Sequence, residues 1–570
     1  MNKKLLTMGL AALLMAGCSS DDVVGGEGDH GGTSAVKGYV GLTITMPTSA
    51  GSRAVEYDDG DTDDYSVKDV TLVFSEYNAG TRKHDIKQVV QFTSTDWNKE
   101  GTGIDDITSA SVLPVVPMAD ANAKSVLVLV NSSDIFTVAN YTTDPATGNN
   151  TVLNPGSIAF KGGSTISTIE DLEAVQNSAS LTLDQYKSAG IGGAFMANAS
   201  IKNATNLDAN DPHKQLVVIT PQKSKEAAMA AASSNVIYVE RAVAKVSLTF
   251  NNLEVANKEY TFSGTGFTSD KIEFDGWVLD VTNKSTFPLR RIAATWPNLD
   301  RFAPAKSAGV PQRYEWSVDN NYSEPYAASD FNTVDEEAVT NVLNTSLYCF
   351  ENTFDLSNMK QNRTTRVVLR GQIKPNGTAP TGGLFRLGES VTFYSKADML
   401  AKVKAAVVAS GAVSAADIES ANVENLVVGK APFTHDGNNK IVITKTGSVP
   451  VDLSTYMTKI TGMLGQLTYY EDGYCYYPVR IRHFEDGTDP YDNGVSAWNA
   501  GNTYDMEAKW LGRYGVVRNN SYVINVTGVS APGTPTVPGL TENIDDEEFY
   551  YIQATVKVLS WTKRTQNVEL

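Results

Sequence analysis

Residues 37–53, KGYVGLTITMPTSAGSR, combine a strand pattern with a loop that a protease could cut. The apolar residues alternate with small or polar ones and are Val40, Leu42, Ile44 and Met46. A period of two predicts a strand with one buried face. Pro47 ends the strand, and small residues lead to Arg53 and Ala54, where a trypsin-like protease could cleave. Losing the strand would leave a groove that another strand could fill, whereas the alternative is an ordinary first strand followed by a loop.

The composition favours a large β-rich protein. The chain has 570 residues, of which 41% are apolar and 20% charged, so it can bury a core large enough for two or more domains. Its 45 glycines and its many Thr, Val, Ser and Asn residues are typical of sheets joined by long loops. The formal charge of −18, without a basic cluster, argues against nucleic acid or an anionic membrane surface as a partner.

The first residues predict an exported lipoprotein. Lys3 and Lys4 precede an apolar run, residues 5–15, that is too short to span a bilayer core of about 30 Å. The following LMAGC, ending at Cys18, resembles a bacterial lipobox in which the cysteine is acylated. We therefore expect residues 1–18 to be a signal peptide and residues 19–53 to be a tether followed by the removable strand.

Two other features leave alternatives open. Cys349 and Cys475 could pair during export or remain buried thiols, since their spacing does not decide between them. The acidic residues 58–64 contain Asp59, Asp61 and Asp63 at the spacing of calcium ligands, but the turn glycine and the closing glutamate of such a loop are missing. We therefore favour a solvated acidic loop over a calcium site for these residues.

The middle of the chain alternates strands and loops. Strand patterns occur at residues 70–74, 125–131 and 236–250. Residues 223–232 are rich in alanine and have helical propensity, and residues 398–410 form a helical pattern. Asn519-Asn520 lies between two strand patterns in residues 512–529, which predicts a hairpin. We place a domain boundary near Asn235, which gives domains of residues 54–235 and 236–548.

The last segment, residues 549–570, has the pattern of a second exchangeable strand. Apolar residues on one face of it are Ile552, Ala554, Val556 and Val558, with Trp561 as a further anchor. Such a strand could insert into a groove on a neighbouring copy, or it could be an ordinary last strand of its own sheet.

No catalytic or metal-binding constellation is visible in the sequence. Its five histidines are scattered, and no phosphate-binding loop, nucleophile elbow or paired metal ligands occur. His483 at a predicted strand end is interpreted as structural. We therefore expect a protein that is not an enzyme and needs no cofactor.

Several segments together resemble the fimbrillins, the type V pilins of Bacteroidia, and in particular the major subunit of short (Mfa-type) fimbriae. They are the lipobox with Cys18, the strand ending in Arg53, VERAVAKV at 239–246, the W-L-NK-PLR pattern across 277–290, YCFENT at 348–353, GRYGVVRNNSY at 512–522 and the strand at 552–561. The combination is specific, although each segment alone is not.

The resemblance implies a mainly β fold with two β-sandwich (transthyretin-like) domains and a few short helices. It also implies cleavage after Arg53 by an Arg-specific extracellular protease, with Lys37 and Arg82 as less suitable sites. The lipidated precursor would be attached to the outer membrane, and residues 549–570 would then donate a strand to another copy in a head-to-tail polymer.

The further partners implied by the resemblance are anchor and accessory fimbrial subunits and host or bacterial surface receptors of an adhesive fimbrium. Two other functions remain open. One is an accessory or tip adhesin, and the other is a monomeric glycan-binding lipoprotein that uses exposed aromatics such as the tyrosines of residues 469–477.

Overall fold

The structure is a computed structural model. The residues it describes are 34–35, 37–45, 67–93, 110–112, 115–140, 142–143, 151–161, 163, 165–174, 182–187, 193–250, 259–293, 296, 302–303, 312–340, 343, 345–484, 508–545 and 552–560. These residues form a mainly β protein with a few short helices, which confirms the predicted fold class. No helix in the described ranges is both long and apolar enough to span a membrane.

The strands of the first half are β1 Ser34–Ala35, β2 Gly38–Val40, β3 Thr43–Thr45, β4 Asp69–Asn78, β5 Lys83–Thr93, β6 Ala110–Val112, β7 Val116–Met118, β8 Lys124–Val130, β9 Phe136–Ala139, β10 Thr142–Thr143, β11 Thr151–Asn154, β12 Ser157–Phe160, β13 Thr165–Ile166, β14 Met196–Asn198, β15 Val217–Ile219 and β16 Val236–Arg241. Those of the second half are β17 Val243–Phe250, β18 Glu259–Thr261, β19 Lys271–Asp280, β20 Thr282–Asn283, β21 Phe331–Asn332, β22 Leu347–Phe350, β23 Arg366–Lys374, β24 Leu384–Leu387, β25 Ile418–Glu424, β26 Gly429–Ala431, β27 Lys440–Lys445, β28 Val449–Pro450, β29 Leu467–Tyr470, β30 Tyr474–Arg480, β31 Asn520–Val529 and β32 Ile552–Ser560. The α-helices are α1 Ile169–Ala174, α2 Leu183–Lys187, α3 Lys225–Ala232, α4 Lys396–Ser410 and α5 Met457–Leu464.

The first half is built on one large sheet with the order β5-β4-β8-β14-β16-β3-β6, and β15 also pairs with β8. Its central strand β8 is buried along its whole length, as a continuous apolar run predicts. Alternate residues of the sheet face two cores. Val73 and Leu127 face one of them, and Val70, Leu72 and Val128 face the other.

The second half contains a sandwich of two four-stranded sheets. Their orders are β22-β17-β31-β32 and β18-β19-β23-β30. A single core joins them, because Val246 and Ile524 of the first sheet pack with Trp277 and Val367 of the second. β17 and β31 lie side by side in parallel, while β32 runs antiparallel to β31 at the edge of its sheet.

Residues 375–473 form an inserted unit between the neighbouring strands β23 and β30, where Gln372 pairs with Tyr474. The unit has two three-stranded sheets, β24-β29-β26 and β25-β27-β28, together with α4 and α5. Its own core includes Val403, Ile443 and Ile460. The sequence predicts a single domain, residues 236–548, over this region and predicts α4, but it has no signal for the separate unit to which α4 belongs.

The chain passes from the first sheet to the second at Ala242. β16 lies in the large first sheet and β17 in the sandwich, so the strand pattern at 236–250 divides between them, just after the boundary predicted near Asn235. The hairpin predicted at Asn519 is wrong. Asn519 instead directs the chain into β31 with a φ of 62° and accepts a hydrogen bond from the Arg241 N–H at 3.0 Å, while β31 pairs with β17 and β32.

Candidate functional site

The candidate site is the groove that holds the first strand, residues 37–45. β3 lies inside the large sheet, parallel to β16 on one side and antiparallel to β6 on the other. Just before it, β2 pairs with β7, and Tyr39 exchanges two main-chain hydrogen bonds of 2.7 Å with Gln222. The segment therefore has hydrogen-bonded neighbours on both sides, unlike a strand added at a sheet edge.

The floor of the groove is apolar. Val40, Leu42 and Ile44 are 1%, 1% and 2% exposed and belong to the same core as Leu72, Val128, Met196 and Val239. Each such side chain stabilises the fold by about 1.5–3 kcal/mol when it is removed from water. The three together hold the segment with several kcal/mol, and their removal would expose a continuous apolar surface.

Helix α3 forms the roof of the groove. The Thr43 hydroxyl donates to the Ala232 carbonyl at 2.9 Å, and the Asn235 side-chain amide donates to the Gly41 carbonyl at the same distance. The Thr43 N–H donates to the Asn235 carbonyl at 3.0 Å. The Lys225 ammonium lies 5.9 Å from the centre of the Tyr39 ring. The segment therefore lies between the core and a helix.

Arg313 closes the far end of the groove. Its Nη2 donates to the carbonyl oxygen of Val239 at 3.2 Å, one residue beyond the part of β16 that pairs with β3. Burial lowers the pKa of Arg313 to about 10, against the opposing effect of Glu240, so the side chain stays charged at neutral pH.

Buried ion pairs connect the groove to the second half of the molecule. Glu240, the residue after Val239 in β16, binds Arg290 through two contacts of 2.6 and 3.0 Å. Arg518 pairs with Glu351 nearby, and Arg290 donates to the Arg518 carbonyl at 3.4 Å. Because removing one partner would leave an uncompensated buried charge, this network fixes the end of β16 against the sandwich.

Of the residues predicted for the removable strand, Val40, Leu42 and Ile44 thus lie together in one core. Met46, the cleavage site Arg53–Ala54 and the lipidation site Cys18 lie outside the described residues, as does the acidic segment 58–64. The two alternative cleavage sites have different surroundings. The Lys37 N–H donates to the Met118 carbonyl of β7 at 2.9 Å, whereas Arg82 is exposed at the tip of the β4–β5 hairpin.

The predicted donor residues Ile552, Ala554, Val556 and Val558 lie in β32, which has one hydrogen-bonded neighbour among the described strands, β31. Trp561 falls outside the described part of the chain. The two halves of the proposed exchange, the first strand and the last, therefore lie in different sheets of one copy.

Three of the five tyrosines proposed as a sugar-binding surface are core residues, and Tyr469 and Tyr474 are half-buried, so the structure does not show the exposed aromatic cluster on which the glycan-binding alternative rested. Tyr470, Tyr476 and Tyr477 are buried, and the Tyr477 hydroxyl donates to the Ala531 carbonyl at 3.0 Å. Tyr469 stacks on Phe385 with ring centres 4.9 Å apart. These tyrosines belong to β29 of the inserted unit and to β30 of the sandwich, where they contribute to packing.

The remaining candidates have structural surroundings. His483 is buried and shares hydrogen bonds of 2.8 Å with the Tyr522 hydroxyl and the Glu315 carbonyl oxygen. Cys349 and Cys475 are both buried free thiols, and burial raises the pKa of each to about 12, which keeps them protonated. Within the described ranges no group of His, Cys, Asp and Glu side chains could hold a metal ion.

Sequence reasoning did not assign Gln222 and Arg313, which shape the two ends of the groove, to the site, and it did not place α3 over the groove. Alanines at 227, 228 and 230–232 predicted the helix but gave no sign of what it covers. Arg313 lies far from β16 along the chain, so only the folded structure brings its guanidinium to Val239.

One comparison with known proteins bears on this architecture. Residues 468–567 match a fimbrillin family. The family is described as "Major fimbrial subunit protein type IV, Fimbrillin, C-terminal". The fimbrillin match contains β30, β31 and β32, and it confirms over this part of the chain the resemblance seen in the sequence. No curated protein matches the chain.

Among solved structures, the chain is similar to a fimbrilin (fimA) from Porphyromonas gingivalis at 14% identity, with 94% of this chain and 100% of that chain covered and a TM-score of 0.36. A fimbrial assembly protein from Parabacteroides distasonis is 8% identical over 93% of this chain and 98% of that chain, with a TM-score of 0.29. The tip fimbrial protein Mfa3 from Porphyromonas gingivalis is 10% identical over 91% and 99%, with a TM-score of 0.24.

Proposed function

We propose that this protein is the structural subunit of an adhesive surface fimbrium, assembled by exchange of strands between copies. The observation that carries the proposal is the position of residues 37–45. Their β3 lies inside the large sheet, their β2 pairs with β7, and Val40, Leu42 and Ile44 are buried in one core. The fimbrillin match of residues 468–567 supports a fimbrial role. A protein of this kind acts by binding copies of itself and needs no catalytic group.

The first step is delivery and cleavage. Acylated Cys18 would attach the precursor to the outer membrane at the cell surface, with residues 19–53 as the tether and removable segment. An Arg-specific extracellular protease would cut after Arg53 and leave Ala54 as the new first residue. Arg53 follows Thr45 by eight residues, and the intervening Pro47 has no N–H to continue a strand ladder.

The second step is departure of the cut segment. Once residues 37–45 leave, β16 and β6 lose their shared neighbour, and their main-chain groups face an open groove. Unpaired main-chain groups beside exposed apolar surface form a strong acceptor for another strand. The covalent cut changes the balance because the segment is then no longer held at high effective concentration by the chain.

The third step is insertion of residues 549–570 from a second copy. The apolar residues Ala554, Val556 and Val558 have the same period of two as Val40, Leu42 and Ile44. β32 lies at a sheet edge, so its release breaks pairing with one described strand, β31. Because donor and groove lie on different sheets, each copy can give one strand and accept another, which produces a head-to-tail polymer.

A fimbrium of this kind needs partners besides copies of this chain. Anchor and accessory subunits would end the fibre, and surface receptors of host or bacterial cells would bind along it. These partners follow from the fimbrial role and from the resemblance noted in the sequence.

The test uses purified residues 19–570 treated with an Arg-specific protease, followed by intact mass and an unboiled denaturing gel. We expect a new terminus at Ala54 and a ladder of stable multimers. Arg53→Ala should remain monomeric, whereas the matched control Arg82→Ala, at an exposed hairpin tip, should form the same ladder as the unaltered protein.

Two results would contradict the proposal. Normal multimers from Arg53→Ala would show that cleavage at this site is not the trigger. Cleavage at Ala54 without multimers would favour an accessory or tip subunit instead.

A further inference from the structure

Helix α3 lies against the first strand so closely that one position of the strand has no room for a side chain. A Cβ atom added to Gly41 would overlap the Ala228 carbonyl oxygen and lie 2.8 Å from the carbonyl carbon and 3.3 Å from the Ala232 Cβ. The first two are main-chain atoms, so rotation of a side chain cannot relieve the overlap. In the position seen here, α3 tolerates only glycine at this place in the groove.

The proposed donor segment has no glycine. Residues 549–570 read FYYIQATVKVLSWTKRTQNVEL. If Ala554, Val556 and Val558 replace Val40, Leu42 and Ile44, then Thr555 takes the place of Gly41. A shift by two residues in either direction brings Gln553 or Lys557 there, and every register therefore places a Cβ atom against Ala228.

The helix itself is weakly held by the rest of the molecule. Only Ala228 and Ala232 of its residues are buried, and Met229 is 62% exposed. Its principal contact is with β2. Ala232 accepts a hydrogen bond from the Thr43 hydroxyl, and the adjoining Asn235 donates to the Gly41 carbonyl and accepts from the Thr43 N–H. Departure of the first strand thus removes much of what fixes α3.

We propose that α3 is the selectivity element of the groove. Where it lies in the precursor, it admits the chain's own first strand through Gly41 and excludes a strand without glycine at that position. This rests on the proposed function, since the excluded strand is residues 549–570 of a second copy. Insertion then requires α3 to move outward, so an uncut precursor cannot accept a donor prematurely.

Amide hydrogen exchange of residues 225–235 tests the proposal in the full precursor and in the assembled form. We expect these amides to exchange about tenfold faster or more in the assembled wild-type form than in the precursor, because the donor displaces the helix. Equal protection in the two forms would overturn the proposal.

The precursor carrying Gly41→Ala tests the same contact without any assembly. Exchange should increase in α3 while residues 38–45 stay protected, because the strand is held by the core and the helix is not. Faster exchange of residues 38–45, with or without α3, would show that the strand yields instead and would overturn the proposal.

The two experiments, on the assembled form and on Gly41→Ala, distinguish a failure of the proposed role of α3 from a failure of strand exchange. If protease treatment gives no multimers, strand exchange fails as a function, and Gly41→Ala still decides whether α3 yields. If Gly41→Ala does not fold, the assembled wild-type form decides, since it carries no substitution. Met229→Ala, which changes an exposed residue of α3, is the matched control and should behave as the wild type in both forms.

Discussion

Arg313 donates a hydrogen bond to the carbonyl oxygen of Val239 at 3.2 Å. This carbonyl lies on the edge of β16 that pairs with β3, one residue beyond the last pair. On the same edge the Thr43 N–H donates to the Asn235 carbonyl. Every second carbonyl of β16 faces β3, so the Val239 carbonyl is the acceptor four residues after that of Asn235. The ladder would thus require an N–H four residues beyond Thr43, where Pro47 has none. An arginine side chain supplies the donor that the strand lacks.

Replacing Arg313 with alanine should lower the free energy of unfolding of the precursor by about 1–3 kcal/mol. The substitution removes the donor to a main-chain carbonyl in a largely buried position, and such a group costs its full desolvation when it is left unpaired. Urea denaturation of the purified precursor measures the change. Arg313→Lys keeps the charge and should lose less, whereas equal losses for the two variants would mean that the guanidinium hydrogen bond is not the cause.

Leu42→Ala should destabilise the precursor by about 2–5 kcal/mol, since it opens a cavity in the core beneath the first strand. The assembled form should be unaffected, because residue 42 leaves with the cut segment. Thermal or chemical unfolding of both forms distinguishes these outcomes. A fibre that loses stability to the same extent would still contain residues 37–45 and would contradict strand departure.

The strand patterns predicted much of this site because they depend on local alternation. Val40, Leu42 and Ile44 have a period of two, and the continuous apolar run at residues 125–131 corresponds to the buried β8. Local sequence also predicted α3 and α4, since alanine-rich and amphipathic segments favour helices. It could not predict which surface either helix covers.

Long-range pairing accounts for the errors. β17 and β31 lie side by side although 269 residues separate Phe250 and Asn520 (520 − 250 − 1), so the sequence near Asn519 predicted a local hairpin instead. Charged residues such as Glu240 and Arg290 are typical of surfaces in a sequence, whereas here each compensates the other in the interior. Neither relationship has a signal in the neighbouring residues.

Stability of the first half should fall as pH rises, because of His84. Burial acts to lower the pKa of His84, but hydrogen bonds and charges from Glu170 and then Asp208 outweigh it and raise the pKa above 6.5. The protonated ring is therefore favoured in the folded state, and its contribution is complete below pH 6.5 and is lost as pH rises through the folded pKa.

Glu173 should add to this trend at lower pH. Burial, followed by the charges of Asp211 and Glu170, raises its pKa to about 8, so folding keeps it protonated while the unfolded chain ionises above about pH 4.5. Unfolding measured from about pH 5 to 9 should give a falling free energy. Glu173→Gln should flatten the slope below about pH 8, and His84→Gln should flatten it above about pH 6.5. Unchanged slopes in both variants would assign the pH dependence to other groups.

The inserted unit should fold by itself when residues 375–473 are expressed alone. α4, α5 and the two small sheets share a core of their own, although Leu384 and Tyr470 of the unit also pack into the sandwich core. The two ends of the unit lie together because β23 and β30 are neighbours. Urea denaturation followed by circular dichroism should show one cooperative unfolding transition. Ile460→Ala should lower the free energy of unfolding by about 2–5 kcal/mol, because the Ile460 side chain is fully buried.

The complementary experiment uses a deletion variant of the full chain that lacks residues 375–473. In this variant a short Asn-Gly turn joins Lys374 to Tyr474. Phe267 packs with Phe393 of the inserted unit at a ring separation of 5.9 Å, so the variant also carries Phe267→Ser to avoid a newly exposed aromatic ring. We expect it to fold and to form multimers after cleavage, since the groove and β32 lie in other sheets. An unfolded isolated unit, together with a collapsed deletion variant, would mean that residues 375–473 and the sandwich form a single cooperative core.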